Sequence, residues 1–214
     1  MNKDISTRQV LLVIMAMCIV FAVAGCAHRN LEQSGSISYE DNKARLLTFQ
    51  YWTMEGKFSL RSPNASPSGR IAWTQIGERF ELVASGTLGF GATRISGTLD
   101  QIEVQSQQGT WIEDDPSLYV QQLAGSPVNL RDLSWWLQGM HNPNEQVHRL
   151  RMDASGFPTS FEQSGWNIEI SAHAAWESAR LPERLVISKD DHTLTLLIQQ
   201  FELKTVPEEQ ASRE

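Results

Sequence analysis

Apolar and polar residues alternate along much of the chain with the period of two that is typical of half-buried strands. Met54, Phe58 and Leu60, for example, alternate with charged and small residues as far as Arg61. Turn-forming residues at Gly77-Glu78 and at 189–192 separate two pairs of such runs and predict hairpins. The same pattern predicts strands at 71–73, 80–84, 94–99, 101–107, around 111, and at 148–152, 161–163, 166–173, 184–188 and 193–203.

Three segments instead have helical spacing. The apolar residues between Tyr39 and Trp52 predict a first helix. Asp115 and Pro116 suit the N-cap and first turn of a second helix, which we expect to end at Gly125. A third helix is predicted from an Asn129 cap, with Leu130, Leu133 and Leu137 on one face and Gly139 as its stop.

Many short antiparallel strands with few helices predict a mainly β protein. We expect one curved sheet or barrel, with the helices covering a face or a mouth.

The N-terminal segment predicts a signal peptide rather than part of the fold. Lys3 and Arg8 precede an uncharged run from Val10 to Gly25, which is shorter than the roughly 20 residues that a spanning helix needs. The alternative of a transmembrane helix is weaker for that reason. We expect residues 1–25 to be removed, residues 26–38 to form a tether, and residues 39–214 to form one domain.

The end of this segment, Val23-Ala24-Gly25-Cys26, resembles the bacterial lipobox. That resemblance implies that Cys26 becomes the first residue and carries an S-diacylglycerol and an N-acyl group. Two or three acyl chains make a lasting anchor, whereas one holds only marginally. Because residue 27 is Ala and not Asp, the resemblance further implies the outer membrane as the destination.

Composition narrows the function classes. The chain has 18 basic and 25 acidic side chains, a net charge of −7, and no basic stripe, which argues against nucleic-acid binding. The five histidines have no recognised ligand spacing, and no nucleophile elbow or phosphate loop is present in the sequence. We therefore predict no metal, no cofactor and no enzymatic activity.

The glycine-rich segment 86–91 places Leu88 and Phe90 in a predicted surface turn. Exposed large apolar groups on a loop indicate a partner or a bilayer. The alternative, in which Leu88 folds back into the core, stays open on this evidence.

Several segments in order resemble the LolB family of outer-membrane lipoprotein receptors over most of residues 52–201. They are the lipobox, Trp52 to Phe58, Trp73-Thr74-Gln75, the Leu88-Gly89 turn, and Leu133-Ser134-Trp135-Trp136-Leu137-Gln138-Gly139. The chain departs from the family pattern at Thr87, where the family usually has Pro, and at Met140-His141, where it usually has Leu-Pro. The related carrier LolA shares the fold but is soluble, so the lipobox favours LolB.

The resemblance implies an unclosed (half) antiparallel β-barrel with a helical lid over an apolar cavity. It also implies a receptor, facing the periplasm of a Gram-negative bacterium, that accepts acylated lipoproteins from LolA and inserts them into the inner leaflet of the outer membrane. Its partners are then LolA, the acyl chains of client lipoproteins and outer-membrane lipid, and we expect a monomer. Leu88 corresponds to the family's membrane-insertion loop, and the candidates for the acyl-chain cavity are Phe58, Leu60, Ile71, Trp73, Phe80, Leu82, Leu133, Trp136 and Leu137.

Two other functions remain open. A scaffold lipoprotein that binds another envelope protein would have a packed interior instead of a cavity. A lipid hydrolase would need a nucleophile beside a histidine and a carboxylate.

Overall fold

The computed structural model describes residues 37–63, 66–86, 91–116, 119, 128–176 and 179–204. The predicted signal peptide, Cys26 and Leu88 lie outside these residues. None of the helices in the described ranges is both long enough and apolar enough to cross a bilayer.

The described residues form two helices and eleven strands. Their bounds are α1 (Tyr39–Leu46), β1 (Tyr51–Arg61), β2 (Ser68–Ile76), β3 (Arg79–Gly86), β4 (Thr93–Gly97), β5 (Ile102–Ser106), β6 (Gly109–Glu113), α2 (Leu130–Trp136), β7 (Val147–Met152), β8 (Pro158–Gln163), β9 (Trp166–Trp176), β10 (Ala179–Lys189) and β11 (His192–Lys204).

All eleven strands belong to one antiparallel sheet with the order β6-β5-β4-β3-β2-β1-β11-β10-β9-β8-β7. The chain therefore makes a meander on each side of β1, and β1 joins the two halves by pairing with β2 and with β11. Strands β6 and β7 are the two edges, so the sheet is unclosed. The predicted fold class, a mainly β protein with an unclosed antiparallel sheet, is confirmed.

The edge strand β7 is irregular. Its register with β8 shifts on both sides of Arg151, and Arg149 has a positive φ of 50°. Every residue of β7 after Val147 is exposed, including Leu150 and Met152.

One face of the sheet is apolar because the register aligns the apolar positions of neighbouring strands. Directly opposed residues of an antiparallel pair lie on the same face. A single row across six strands contains Phe201, Met54, Trp73, Leu82, Ile95 and Val104, all of them buried. This face carries the core, and the opposite face carries charged side chains such as Lys57 and Arg70.

A bulge between Glu55 and Gly56 interrupts the pairing of β1 with β11. A Cβ at Gly56 would lie 2.2 Å from the carbonyl oxygen of Leu197, so only glycine fits this close approach.

The first predicted helix begins as expected but ends early. Ser38 caps α1 by accepting a hydrogen bond from the Asp41 amide, and the helix ends at Leu46. The prediction that it continues to Trp52 is wrong, because Trp52 pairs with Leu203 on β11 and so belongs to β1. Strand pairing across the sheet overrides the local helical spacing here.

The other turns and helices follow the sequence more closely. Asn129 caps α2 by accepting from the Arg131 amide, and Gly139 adopts a φ of +74° after the helix. Gly77 and Asp190 have positive φ angles in the two predicted hairpin turns. Of the predicted helix after Asp115, only Pro116 and Tyr119 lie within the described residues, and both are helical.

α1 is fixed to the start of β10 by a pair of hydrogen bonds. The Asn42 side-chain amide donates to the Arg180 carbonyl at 2.9 Å, and the Arg180 amide donates to Asn42 Oδ1 at 2.7 Å. The Arg180 guanidinium lies over the Phe157 ring at 4.4 Å, and the other contacts of that ring are with Tyr39 and His173. α1 is thus attached to β9 and β10.

His173 gives this junction a pH dependence. Burial, and then the nearby Arg180 cation, lower the pKa of His173 below its usual 6.5, while the Asp153 carboxylate partly opposes them. Because the folded-state pKa is lower than the unfolded one, the contribution of this group to stability is complete above about pH 6.5 and declines as the pH falls below it. The amides of Phe157 and Ser155 lower the pKa of Asp153, so its contribution declines only in a more acidic range.

We predict that His173→Gln flattens the decrease in the free energy of unfolding between pH 7.5 and 5, since the substituted residue takes up no proton. Urea denaturation at a series of pH values measures this. The matched control is His148→Gln, an exposed histidine on β7. An equal change of the pH dependence in both variants would contradict the assignment.

Candidate functional site

A cleft of about 990 Å³ opens at the Tyr51 end of β1. It lies between the end of α1, the β2–β3 and β4–β5 turns, and one side of α2. Its volume falls within the range of about 300–1,000 Å³ that is typical of ligand pockets.

The wall of the cleft is apolar in one part and polar in another. Its apolar side chains are Leu46, Leu47, Phe49, Trp52, Ile76, Leu99, Trp135 and Met140. Its charged side chains are Glu78, Arg79, Asp100 and Arg131, with Gln50, Gln75 and Gln138 among the neutral polar ones. Such a surface suits an amphiphile, which has a hydrocarbon part and a polar head.

Two apolar residues of this cleft face solvent. Leu47 is 52% exposed and Ile76 is 40% exposed. Large apolar groups gathered at a concave opening are typical of sites that take up an apolar ligand or partner.

Trp52 joins the cleft to the interior. It lines the cleft yet is only 3% exposed, and its ring stacks on Trp73 at 6.0 Å and on Phe201 at 5.4 Å. Trp73 in turn contacts Phe80 at 5.5 Å. The apolar wall is therefore continuous with the apolar face of the sheet.

The nine residues expected to contact acyl chains all point toward this interior. Seven of them are buried, and Phe58 and Ile71 are half-buried. None of the nine lines the cleft itself, because they pack against one another and against the other core residues. Their contact with cargo stays a prediction.

The sequence analysis missed the residues that do line the cleft. The helix predicted for residues 39–52 includes Phe49 and Trp52, which in the structure line the cleft. Leu99 lines it from the β4–β5 turn, and Trp135 lines it from the side of α2 that faces away from Gln163. The alternation of Trp52 with Met54 was a signal that β1 begins earlier. No sequence pattern links the two turns to α2, since only the folded sheet brings them together.

α2 covers the sheet and is held there by a buried polar network centred on Gln163 of β8. Gln163 Oε1 accepts hydrogen bonds from Trp136 Nε1 at 2.9 Å and from the Asn142 amide at 2.8 Å. Its Nε2 atom donates to the carbonyls of Asn142 and Glu145. The Asn142 side chain extends the network by donating to Asp132 Oδ1 on α2 at 2.7 Å.

This network fixes the side of α2 that carries Trp136, because all but one of its hydrogen bonds, the bond to the Glu145 carbonyl, are buried. Trp135 and Ser134, on the other side, line the cleft. The cleft therefore opens on the side of α2 that faces away from Gln163.

Within the described residues, no group of three or more His, Cys, Asp and Glu side chains is placed to bind a metal ion. A smaller cleft of about 410 Å³ near the β8–β9 and β10–β11 turns is lined largely by polar side chains, among them His148, Glu162 and Lys189.

We predict that Gln163→Leu lowers the free energy of unfolding by about 2–4 kcal/mol, since it leaves the buried Trp136 and Asn142 N–H groups without acceptors. Chemical denaturation followed by tryptophan fluorescence measures the loss. The control is Gln200→Leu, which makes the same change at an exposed position of β11. A loss below about 1 kcal/mol would mean that the network does not hold α2.

The chain is similar to known proteins over most of its length. The profile of the family described as "Outer membrane lipoprotein LolB" matches residues 50–201. A protein of Stutzerimonas stutzeri named outer-membrane lipoprotein LolB is 30% identical over 88% of this chain and 94% of its own length. A protein of Pseudomonas paraeruginosa with the same name is also 30% identical, over 88% of this chain and 94% of its own.

Among solved structures, a putative outer membrane lipoprotein-sorting protein domain from Vibrio parahaemolyticus superposes with a TM-score of 0.51. The match covers 81% of this chain and 94% of that one at 9% identity. At this identity the likeness concerns the fold alone.

Proposed function

The chain belongs to the LolB family of outer-membrane lipoproteins, and we propose that its cleft receives the acyl chains of lipoproteins delivered by the soluble carrier LolA. The protein is a lipid-anchored receptor of the outer membrane that acts in lipoprotein localisation. We further propose that Cys26 bears the lipid anchor and that the cargo passes into the inner leaflet.

The observation that supports this proposal most is the apolar wall around Trp52, which runs from the open cleft into the core. An acyl chain of ordinary length prefers apolar surroundings to water by on the order of 10 kcal/mol, at about 0.8 kcal/mol per CH₂. It therefore needs a sheltered path between carrier and bilayer. The polar groups at the cleft suit the ester and amide groups that join the chains to the cargo protein.

Transfer of this kind involves no bond formation or cleavage. If affinity for the chains increases from carrier to receptor to bilayer, transfer proceeds without an energy source. We therefore propose a chaperone and not an enzyme.

The cleft should bind a free fatty acid. We expect a chain that starts at residue 27 to bind a fluorescent fatty acid, and Trp135→Ala to weaken this binding about tenfold by removing apolar contact, which corresponds to about 1.4 kcal/mol. Fluorescence titration gives the dissociation constants.

Trp111→Ala is the matched control, because Trp111 is also half-buried but lies on β6 away from the cleft. A folded protein that shows no saturable binding would favour the scaffold lipoprotein over the receptor. Equal weakening in both variants would place the fatty acid elsewhere.

Leu88 provides a test of the delivery step. By likeness to the family, we propose that its side chain enters the bilayer, and we expect Leu88→Glu to receive cargo normally but to stop its transfer to liposomes, because a charged group is costly in hydrocarbon. Sedimentation of labelled cargo with liposomes measures delivery. Leu88→Phe, the apolar control, should retain it, and wild-type delivery by the glutamate variant would exclude the assignment.

A further inference from the structure

The outward face of the sheet carries a transverse row of cations. The register places Arg70 of β2 opposite Lys57 of β1, Lys57 opposite Leu197 of β11, and Leu197 opposite Arg184 of β10. The three cations and Leu197 are together called the basic row; they share one face and are all exposed. Leu197 is 42% exposed in the middle of the row.

The cations of the basic row form no ion pair within the described residues, although the exposed Glu183 precedes Arg184 in the chain. On each strand, the next residue on the same face lies two positions from the member of the row. Most of these neighbours are uncharged: Ser59, Ser68, Ala72 and Thr195. Glu55 is the acidic exception at that spacing.

The cations are close enough to act on one partner together. Neighbouring strands lie about 4.8 Å apart, so the row from β2 to β10 extends over roughly 14 Å. Screening in physiological salt has a length of about 8 Å, so the charges of Arg70 and Lys57 on adjacent strands reinforce one another, whereas Arg184 lies two strands from Lys57 at roughly 10 Å. In a chain with a net charge of −7, such a row indicates an anionic partner and not a general requirement for solubility.

The proposed anchor at Cys26 keeps the domain within reach of a membrane. From the proposed acylated Cys26 to Ile37, where the described structure begins, the chain can extend over at most about 40 Å. α1 then docks on β10 through Asn42 and Arg180, and β10 also carries Arg184. The anchored end of the protein therefore enters the fold on a strand that contributes to the row.

The same row ends near the segment that contains Leu88. Arg70 is paired with Ser85 on β3, and Gly86, the last residue of that strand, precedes the segment 87–90. The end of β3, which the proposed membrane-insertion loop follows in the chain, is therefore next to the Arg70 end of the basic row.

We propose that the basic row rests on the anionic phospholipid headgroups of the leaflet that holds the lipid anchor. Arginine guanidinium groups pair with phosphate in a bidentate manner, lysine adds a point charge, and Leu197 suits the boundary between headgroups and acyl chains. A phospholipid is favoured over an acidic protein because the anchor holds the domain beside lipid permanently. The inference rests on the lipid anchor of the proposed function but not on the cleft.

The test uses the mature acylated protein in phosphatidylcholine liposomes with or without phosphatidylglycerol. A fluorophore on Ser59→Cys, on the same face as the row, reports proximity to the bilayer through quenching by brominated phospholipid. We expect quenching only with phosphatidylglycerol, and its loss at high salt. Lys57→Gln combined with Arg184→Gln should lower the ratio of bound to free domain roughly 25-fold, at about fivefold per charge.

Lys43→Gln combined with Arg151→Gln is the matched control, because it removes the same two residue types from α1 and β7 and should leave quenching unchanged. Equal unfolding midpoints of the two double variants show that both are folded. The proposal is overturned if quenching is the same with and without phosphatidylglycerol. It is also overturned if the two double variants reduce quenching by the same amount.

One further outcome would assign the row to a protein. If the row variant keeps its quenching but takes up cargo from the carrier more slowly, the row docks an acidic protein and the lipid proposal is wrong. The quenching measurement needs no cargo. If quenching is normal but fatty-acid binding or cargo delivery fails, the result counts against the proposed function alone.

Discussion

The amide of Gln163 determines how the apolar face of the sheet is covered. A sheet of eleven strands with one apolar face must bury that face, yet α2 spans only Leu130–Trp136. Apolar contact alone is non-directional and would leave the helix free to slide. The bonds from Trp136 and Asn142 to one buried glutamine fix its position, and they leave the Trp135 side of α2 to form the cleft.

The packed interior is a feature that a scaffold lipoprotein would share, and it is the open apolar cleft beside Trp52 that favours a receptor. Trp136, Leu137 and Trp73 are almost fully buried among other apolar side chains, so an acyl chain that advances beyond Trp52 exchanges one apolar contact for another. Such an exchange yields little net free energy. A modest affinity is what a receptor needs if it must release its cargo to a bilayer.

Local pattern predicted the sheet well, because a period of two identifies the buried face of each strand, as at Met54 and Leu60. It failed at Trp52, where helical spacing competed with a strand that only pairing with β11 could select. The cleft could not be predicted from the sequence for a different reason. Leu99 and Trp135 are far apart in the chain and line one cleft only after the turns and α2 have packed on the sheet. Gln163, an ordinary polar residue in the sequence, gave no sign of its burial.

The two open edges of the sheet lie on a protein that its anchor confines to a surface. Regular unpaired strands invite pairing with a second copy, and confinement in two dimensions makes such encounters frequent. Strand β6 has only five residues, and β7 breaks its own register around Arg149 and Arg151. Neither edge offers a long regular template, so neighbouring copies can crowd on a membrane without polymerising into continuous sheets.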